Sequence, residues 1–331
     1  MPSRKRTKRN TSRRFLLFAL FIVLAILVYT GGWFYAADTL ERRTITAIED
    51  INLGQQNVNC EEPTARGYPF RIGLFCRSVS FENAETGVSV NAGAFRSAAQ
   101  VYQPMRTVGE LDSPAKITAP NFPPVEANWD NMRLSARLTT RLPERVSSEA
   151  TNVVLTLDDD TRQPIARADS IQTHTRQNGA NVDFAFIAQK LSLDPALTSG
   201  ATIPALDGEV LLSLDDGVAL LANARNGLRG RSGNVQNLRL SVAGTEAGLS
   251  LQGPIQIAEN GLIDAELRVT VNEPQTIARL AGDLFPAQRD QIQSITSGLA
   301  NLGKAPTLPV NIRQGRVFVG FIPLGRVPPV R

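Results

Sequence analysis

Hydrophobic residues follow two different patterns along this chain. Near the start, residues 15–37 form a run of 23 residues without a charged side chain. As a helix that rises 1.5 Å per residue, this run is about 34 Å long, enough to cross a hydrocarbon layer of about 30 Å. From residue 70 onward, apolar and polar residues alternate in short stretches, which is typical of half-buried strands. The pattern therefore predicts one membrane span followed by a β-rich body.

The charge-free run is predicted to be an uncleaved anchor. A signal peptide has an apolar part of about 7 to 15 residues that ends at a small-x-small site. Thr30 and Gly32 form the only candidate pair for such a site, and they fit it poorly. Seven basic residues lie within residues 1–14, whereas the charges just after the run are balanced. By the positive-inside rule, residues 1–14 form a cytoplasmic tail and residues 38–331 are exported.

The helix is predicted to continue beyond the span as a stalk, over residues 38–54. Apolar or small residues recur there at helical spacing: Leu40, Thr44, Ala47, Ile48 and Ile51. At the start of this segment, Trp33, Phe34 and Tyr35 are of the amphipathic type that prefers a membrane interface.

The body, residues 55–331, is predicted to be mainly antiparallel strands. The most regular stretch, residues 263–272, alternates apolar residues with polar or charged ones. Turn pairs separate such stretches, at Asn178-Gly179, Asp216-Gly217 and Asn260-Gly261. Two helices are predicted near the end, at residues 274–284 and 287–302, and a weaker amphipathic segment at 95–102. The proline-rich residues 118–124 indicate a division of the body into two sub-parts.

These helices are too few to cover so many strands. The apolar side of a curved sheet then faces either a second sheet, as in a sandwich, or an open groove. We expect the most regular strands to line this apolar side, with the side chains of Ile263, Ala265, Leu267, Val269, Val271, Leu238 and Leu240.

The two cysteines, Cys60 and Cys76, both lie in the part predicted to be exported, where disulfides form and persist. We predict that they are bridged. A redox pair or a metal clip is the alternative, but a spacing of sixteen residues matches neither a C-x-x-C motif nor a zinc ligand set.

Charge and composition exclude several function classes. The chain has 35 basic and 31 acidic residues, but without residues 1–14 the balance is 28 against 31, a net charge of −3. A nucleic-acid-binding body is therefore disfavoured. The chain has one histidine, which leaves little for metal or His-based chemistry, and we expect no cofactor, metal or catalytic residue.

Two motifs resemble chemical sites and are interpreted structurally. Residues 298–304, GLANLGK, match a phosphate loop except for its Ser/Thr, but a helix precedes them where a strand is required. His174 is expected to be an exposed strand residue, and the aspartates at 158–160 are expected to form a hairpin turn.

Residues 67–73, GYPFRIG, form the most unusual local string, inside the loop between the cysteines. Tyr68, Pro69 and Phe70 form a candidate surface motif, either pinning a turn or presenting aromatic rings to a ligand. We favour the structural role.

Several strings together resemble a bacterial envelope family called domain of unknown function 2125. They are GYPFRI between the cysteines, AGAFRSAAQVYQP at 92–104, ANWDNMRLS at 127–135 and GRVFVGFIPLG at 315–325. More loosely, an anchor followed by amphipathic strands is similar to AsmA-like proteins, whose larger members resemble β grooves implicated in lipid movement or shielding. The first family carries no assigned catalytic residues, so the resemblance implies none here.

We therefore expect a non-catalytic, single-pass protein of the inner membrane with a periplasmic body. Its apolar sheet face is expected to bind or shield a lipid or a lipid-bearing envelope partner. The alternative is an assembly factor that holds an envelope protein complex. A carboxylate-only glycosidase is a third interpretation, which would need two carboxylates about 5 to 9 Å apart in a cleft.

Overall fold

The computed structural model describes residues 11–139, 142–198, 200–222, 227–301 and 303–330. Most of the expected basic tail lies outside these residues. A single helix, α1 (Thr11–Asn52), contains both the predicted anchor and nearly all of the predicted stalk. It is long and apolar enough to cross a membrane, and the side chains of its apolar window are not buried by the body. Helix α1 is therefore a candidate single-pass anchor.

In the described part of the chain, twenty strands follow α1, all in antiparallel pairings, so the mainly β fold class is confirmed. Their bounds are β1 (Gln56–Cys60), β2 (Thr64–Arg66), β3 (Arg71–Cys76), β4 (Val79–Asn83), β5 (Val88–Ala92), β6 (Phe95–Gln100), β7 (Gln103–Leu111), β8 (Ala115–Thr118), β9 (Val125–Asn128), β10 (Asn131–Arg137), β11 (Arg145–Leu157), β12 (Pro164–Asn178), β13 (Asn181–Leu193), β14 (Leu206–Leu214), β15 (Arg231–Val242), β16 (Gly248–Ile257), β17 (Ile263–Asn272), β18 (Thr307–Arg313), β19 (Arg316–Val319) and β20 (Ile322–Arg326).

The strands form one continuous meander. From β11 to β20, each strand pairs with the next along the chain. The first ten strands are the halves of five long strands, each interrupted once. The two halves of each long strand are β1 and β2, β3 and β4, β5 and β6, β7 and β8, and β9 and β10. Strand β11 pairs with both β10 and β9. The result is a single curved sheet that stays open, not a sandwich.

The interruptions of neighbouring strands lie side by side and form a crease across the sheet. Polar groups satisfy the backbone at this crease. The indole of Trp129 donates to the carbonyl of Leu111 at 2.9 Å, and the Ser113 hydroxyl donates to the carbonyl of Trp129 at 3.1 Å. At Gly93, a Cβ atom would lie 2.8 Å from the carbonyl oxygen of Asp112, so only glycine fits this close approach.

The predicted disulfide is present and crosses the crease. Cys60 ends β1 and Cys76 ends β3, and their Cα atoms are 5.2 Å apart. Strand β1 pairs with β4, whereas β3 pairs with β2 and β6. The bond therefore links strand segments on the two sides of the crease.

A small core lies beyond the crease, on β4, β5, β8, β9 and β11. Its centre consists of three buried alanines, which allow the strands to curl closely around it: Ala92, Ala115 and Ala127. Larger side chains pack around them, among them Val90, Leu111, Ile117, Trp129 and Leu155.

Among the described residues, three further α-helices connect strands. The two predicted C-terminal helices are found as α3 (Pro274–Leu284) and α4 (Arg289–Ala300), which pack on each other. Pro274 starts α3, where its fixed φ suits the first helical turn and its missing N–H costs nothing. Helix α3 also contacts β17. The short helix α2 (Gly217–Ala222) connects β14 towards β15.

Two local predictions were wrong. Residues 95–100 are strand β6 rather than an amphipathic helix, because Phe95, Ser97 and Ala99 alternate with their neighbours between two flanking strands. Asp216-Gly217 does not close a two-residue hairpin but leads into α2. Residues 119–124 connect β8 to β9, which pair with each other in the same sheet. The division of the body near 118–124 stays a prediction.

Candidate functional site

One side of the sheet carries continuous rows of apolar side chains. Residues directly opposite each other on neighbouring strands project from the same face. Leu238, Leu251 and Val269 form one such row, and Leu240, Leu249 and Val271 form the next. We call this surface the apolar face. On β13, β14 and β18 it includes Phe184, Phe186, Val210, Leu212, Leu308 and Val310.

The predicted lining residues all lie on the apolar face, but they differ in exposure. On β17, Ala265, Leu267 and Val271 are buried, and Ile263 and Val269 are half-buried. On β15, by contrast, the side chains of Leu238 and Leu240 are 37% and 41% exposed. The open part of the face therefore centres on β15 rather than on β17.

Further exposed hydrophobic side chains belong to this face and were missed from the sequence. Phe184, Leu249 and Val146 are each at least a third exposed. Val146 and Phe184 lie on either side of Thr175 in one cross-strand row. Apolar and polar residues alternate on their strands as on many others in this chain. The signal that places these residues on the exposed apolar face is the register between neighbouring strands.

The apolar face continues from β13 to the strands beneath α1. The connecting row consists of directly opposed residues and becomes less apolar in its middle: Phe184, Thr175, Val146, Ala136, Thr107, Ala99 and Ile72. The sheet surface that contacts the anchor is thus the same surface that is exposed at β15.

An open cleft of about 790 Å³ lies between α1 and this end of the apolar face. Its size is within the range of ligand pockets, about 300 to 1,000 Å³. The sheet contributes Ile72, Leu74, Ala99, Val101, Thr107 and Leu138, and the helix contributes Tyr29, Trp33, Tyr35, Ala36 and Leu40. Apart from hydroxyl groups, the indole N–H of Trp33 and the side chain of Arg43, which also lines the cleft, the lining is apolar.

The candidate motif Tyr68, Pro69 and Phe70 lies beside α1 at the start of β3. The hydroxyls of Tyr68 and Thr30 are 2.8 Å apart, and the Tyr29 hydroxyl donates to the carbonyl of Pro69. The ring of Tyr68 also makes an edge contact with Trp33, with centroids 5.4 Å apart. Phe70 remains 73% exposed. Tyr68 and Pro69 thus hold the sheet to the anchor.

The opposite side of the sheet is polar. His174 is half-buried there, facing Ser147 and Ala185 on the adjacent strands. It lines an open cavity of about 780 Å³ with several arginines. On the same strand, the guanidinium of Arg176 donates a hydrogen bond to the carboxylate of Asp183 on β13 and lowers the pKa of Asp183, against the opposing effect of burial.

The other candidate sites have structural explanations. Asp159 lies in the turn between β11 and β12, and a hydrogen bond from the Thr161 hydroxyl lowers the pKa of its carboxyl. In residues 298–304, the end of α4 precedes β18, with residue 302 outside the described part. Among the described residues, no cluster of three His, Cys, Asp or Glu is arranged to hold a metal.

The fold and this site define a class of protein: an open antiparallel sheet, carried by a candidate membrane anchor, with an exposed apolar face that reaches the anchor. The family model described as "Uncharacterized protein conserved in bacteria (DUF2125)" matches residues 33–328. The chain belongs to this family. No curated protein matches it, and the likeness to AsmA-like proteins stays a prediction.

Proposed function

We propose that this protein is a non-catalytic, single-pass protein of the inner membrane that holds the acyl chains of a lipid on its apolar face. These chains come from a free membrane lipid or from a lipid-bearing envelope partner. The observation that carries the proposal is the exposure of Leu238, Leu240 and Leu249 on a sheet face that continues beneath α1. Large apolar surfaces open to solvent mark sites of interaction.

Two observations support a periplasmic body. The seven basic residues before the span favour a cytoplasmic N-terminus. The disulfide between Cys60 and Cys76 fits an oxidising compartment on the other side of the membrane.

The cleft beside α1 offers a lipid a route from the membrane. Tyr29 and Trp33 lie in the second half of the charge-free run and form part of the cleft wall. A lipid in the outer half of the bilayer therefore meets Ile72 and Leu74 without first crossing water. Each methylene buried on such a surface contributes about 0.8 kcal/mol, so a chain of several methylenes is retained by many weak contacts.

A photocrosslinker placed in the full-length chain in cells tests this proposal. We expect p-benzoylphenylalanine in place of Leu240 to yield lipid adducts detectable by mass spectrometry. The matched control replaces Gln252 on the neighbouring strand, which is exposed on the opposite face. Equal adduct yields at the two positions, or no lipid adduct at Leu240, contradict the proposal.

A specific observation also favours the second candidate, an assembly factor. Strand β20 ends the meander, all of its residues are exposed, and Ile322 and Leu324 are 66% and 59% exposed. An exposed apolar edge strand is a template for pairing with another chain. If this candidate is correct, a crosslinker at Leu324 traps one defined protein, whereas the crosslinker at Leu240 traps no lipid.

A further inference from the structure

The polar side of the sheet carries a row of arginines across adjacent strands. Arg106 on β7 is directly opposite Arg137 on β10, which is opposite Arg145 on β11, which in turn is opposite Arg176 on β12. Arg71 at the start of β3 extends the row, because Arg71 and Arg106 line one cavity of about 330 Å³. We call these five residues the arginine row. With about 4.8 Å between strands, it spans about 24 Å.

Acidic side chains neutralise only part of the row. Arg137 pairs with Glu144 at 3.2 Å, and Arg176 pairs with Asp183 at 2.7 Å. Arg71, Arg106 and Arg145 form no ion pair with any described residue, and all three are exposed. The row therefore presents positive charge to its surroundings.

Two further acidic residues on this side of the sheet lie opposite a different arginine. Glu110 and Glu149 are both directly opposite Arg133, four residues along their strands from Arg106 and Arg145. Glu110 also lies 3.7 Å from Arg96, whose main partner is Asp112. Neither carboxylate forms an ion pair with Arg71, Arg106 or Arg145 among the described residues, so the charge of these three arginines is not compensated.

Like charges directly opposite each other in a sheet are destabilising. Four arginines in one cross-strand row therefore lower the stability of the isolated fold. The row becomes favourable when anions lie between the guanidinium groups, and the planar guanidinium fork matches the oxygens of a phosphate.

The position of the row identifies the source of these anions. Arg71 also contributes the carbonyl that accepts the indole N–H of Trp33 in α1, at 2.9 Å. One end of the row is therefore held at a tryptophan in the membrane-spanning run, at a depth where tryptophan marks the membrane interface. Exposed aromatic side chains on the adjacent turns, Phe70 and Tyr102, are both 73% exposed and are suited to the same interface.

We propose that the arginine row binds the phosphate groups of anionic lipids at the surface of the membrane that α1 spans. This site lies on the side of the sheet opposite the apolar face. It selects a headgroup, whereas the apolar face binds acyl chains, so either site can exist without the other.

The test compares two lipids with the same dioleoyl chains but different headgroups. The full-length chain in non-ionic detergent is titrated with phosphatidylglycerol or phosphatidylcholine, and retained lipid is counted by native mass spectrometry. We expect preferential retention of phosphatidylglycerol. In the variant Arg106→Gln/Arg145→Gln this preference falls at least about tenfold, since each arginine near an anionic surface contributes about fivefold in affinity. Retention of phosphatidylcholine stays unchanged.

The matched control is Arg313→Gln/Arg316→Gln. These two arginines are also directly opposite each other, on β18 and β19, but lie six strands or more beyond β12 in the meander. We expect this control to keep the preference for phosphatidylglycerol. The same loss in both double variants, or no preference in the unaltered chain, overturns the proposal.

Two further readouts separate the possible explanations. Displacement of phosphatidylglycerol by millimolar inorganic phosphate identifies a site for free phosphate and overturns the assignment to lipid. In low salt and phosphatidylcholine alone, the variant Arg106→Gln/Arg145→Gln unfolds at a higher denaturant concentration than the unaltered chain, because like-charge repulsion is relieved. Weak retention of both lipids, with the preference for phosphatidylglycerol kept, contradicts only the proposed binding of acyl chains on the apolar face. The proposal for the arginine row is unaffected by that outcome.

Discussion

Trp33 in α1 donates its indole N–H to the backbone carbonyl of Arg71, the first residue of β3, at 2.9 Å. This hydrogen bond joins the candidate anchor to the sheet, and it joins them where the apolar cleft and the arginine row both begin. The orientation of the body relative to α1 therefore depends on a small set of contacts around one tryptophan.

Replacing Trp33 by Phe tests this attachment. The variant keeps an aromatic ring but leaves the Arg71 carbonyl without its donor, so we expect a loss of about 1 kcal/mol in the free energy of unfolding. Urea unfolding of the full-length chain in detergent, followed by circular dichroism of the strands, measures it. Tyr35→Phe is the control, because Tyr35 is 75% exposed. Equal midpoints for the Trp33 variant and the unaltered chain contradict this role.

Removing the disulfide that links the two sides of the crease should lower the stability of the fold. We expect the variant Cys60→Ser/Cys76→Ser to lose about 3 kcal/mol of unfolding free energy, as the chain-entropy model gives for a loop of this size. The loss is measured from denaturant midpoints against the unreduced chain. Alkylation of the unreduced protein isolated from cells should label neither cysteine, and labelling of both would disprove the pairing.

The difference in exposure along the apolar face predicts a difference in stability. Leu267 is 8% exposed, so Leu267→Ala creates a cavity and should cost about 2 to 5 kcal/mol. Leu240 is 41% exposed, and Leu240→Ala should cost less than about 1 kcal/mol in the absence of lipid. Chemical denaturation of the two variants measures both values. Similar costs at the two positions would show that the face around β15 is covered.

The ion pair of Asp183 with Arg176 predicts a pH dependence. The hydrogen bond from Arg176 lowers the pKa of Asp183 in the folded chain. The carboxylate therefore stabilises the fold above its unfolded pKa of about 3.9, and this stabilisation is lost as the pH falls through the folded pKa. Asp183→Asn should be less stable than the unaltered chain at pH 7, with a difference that narrows below about pH 4.

Unfolding midpoints measured from pH 7 to pH 3 check this dependence. Asp160→Asn is the control, because Asp160 is exposed in the turn between β11 and β12 and forms no ion pair with a described residue. A pH profile of Asp183→Asn parallel to that of the unaltered chain would contradict the assignment.

Local pattern was sufficient for the elements whose signal is contained in consecutive residues. The apolar run predicted α1, the alternation at 263–272 predicted β17, and the helical spacing at 274–284 predicted α3 within the same bounds. The pattern misled at residues 95–100, where small residues suit a helix and a strand alike. There the pairing of β6 with β3 and β7 decided the conformation.

The crease was not predictable, because its parts are far apart in the chain. No sequence pattern connects Gly93, Asp112 and Trp129. Antiparallel pairing nevertheless brings the strand interruptions at these residues side by side. Only the register of five neighbouring strands reveals the line that they form.

The amino-acid sequence by itself determined that the chain has one apolar helix long enough to span a membrane, a mainly strand body and cysteines placed to pair. These properties depend on hydrophobic period and on residue type, which are local. Tertiary structure alone decided that the sheet stays open, that Leu240 is exposed while Leu267 is buried, and that Arg106, Arg137, Arg145 and Arg176 form one row. Burial and charge density arise from strands that meet across the sheet, and a residue's own neighbours in the chain do not specify which strands those are.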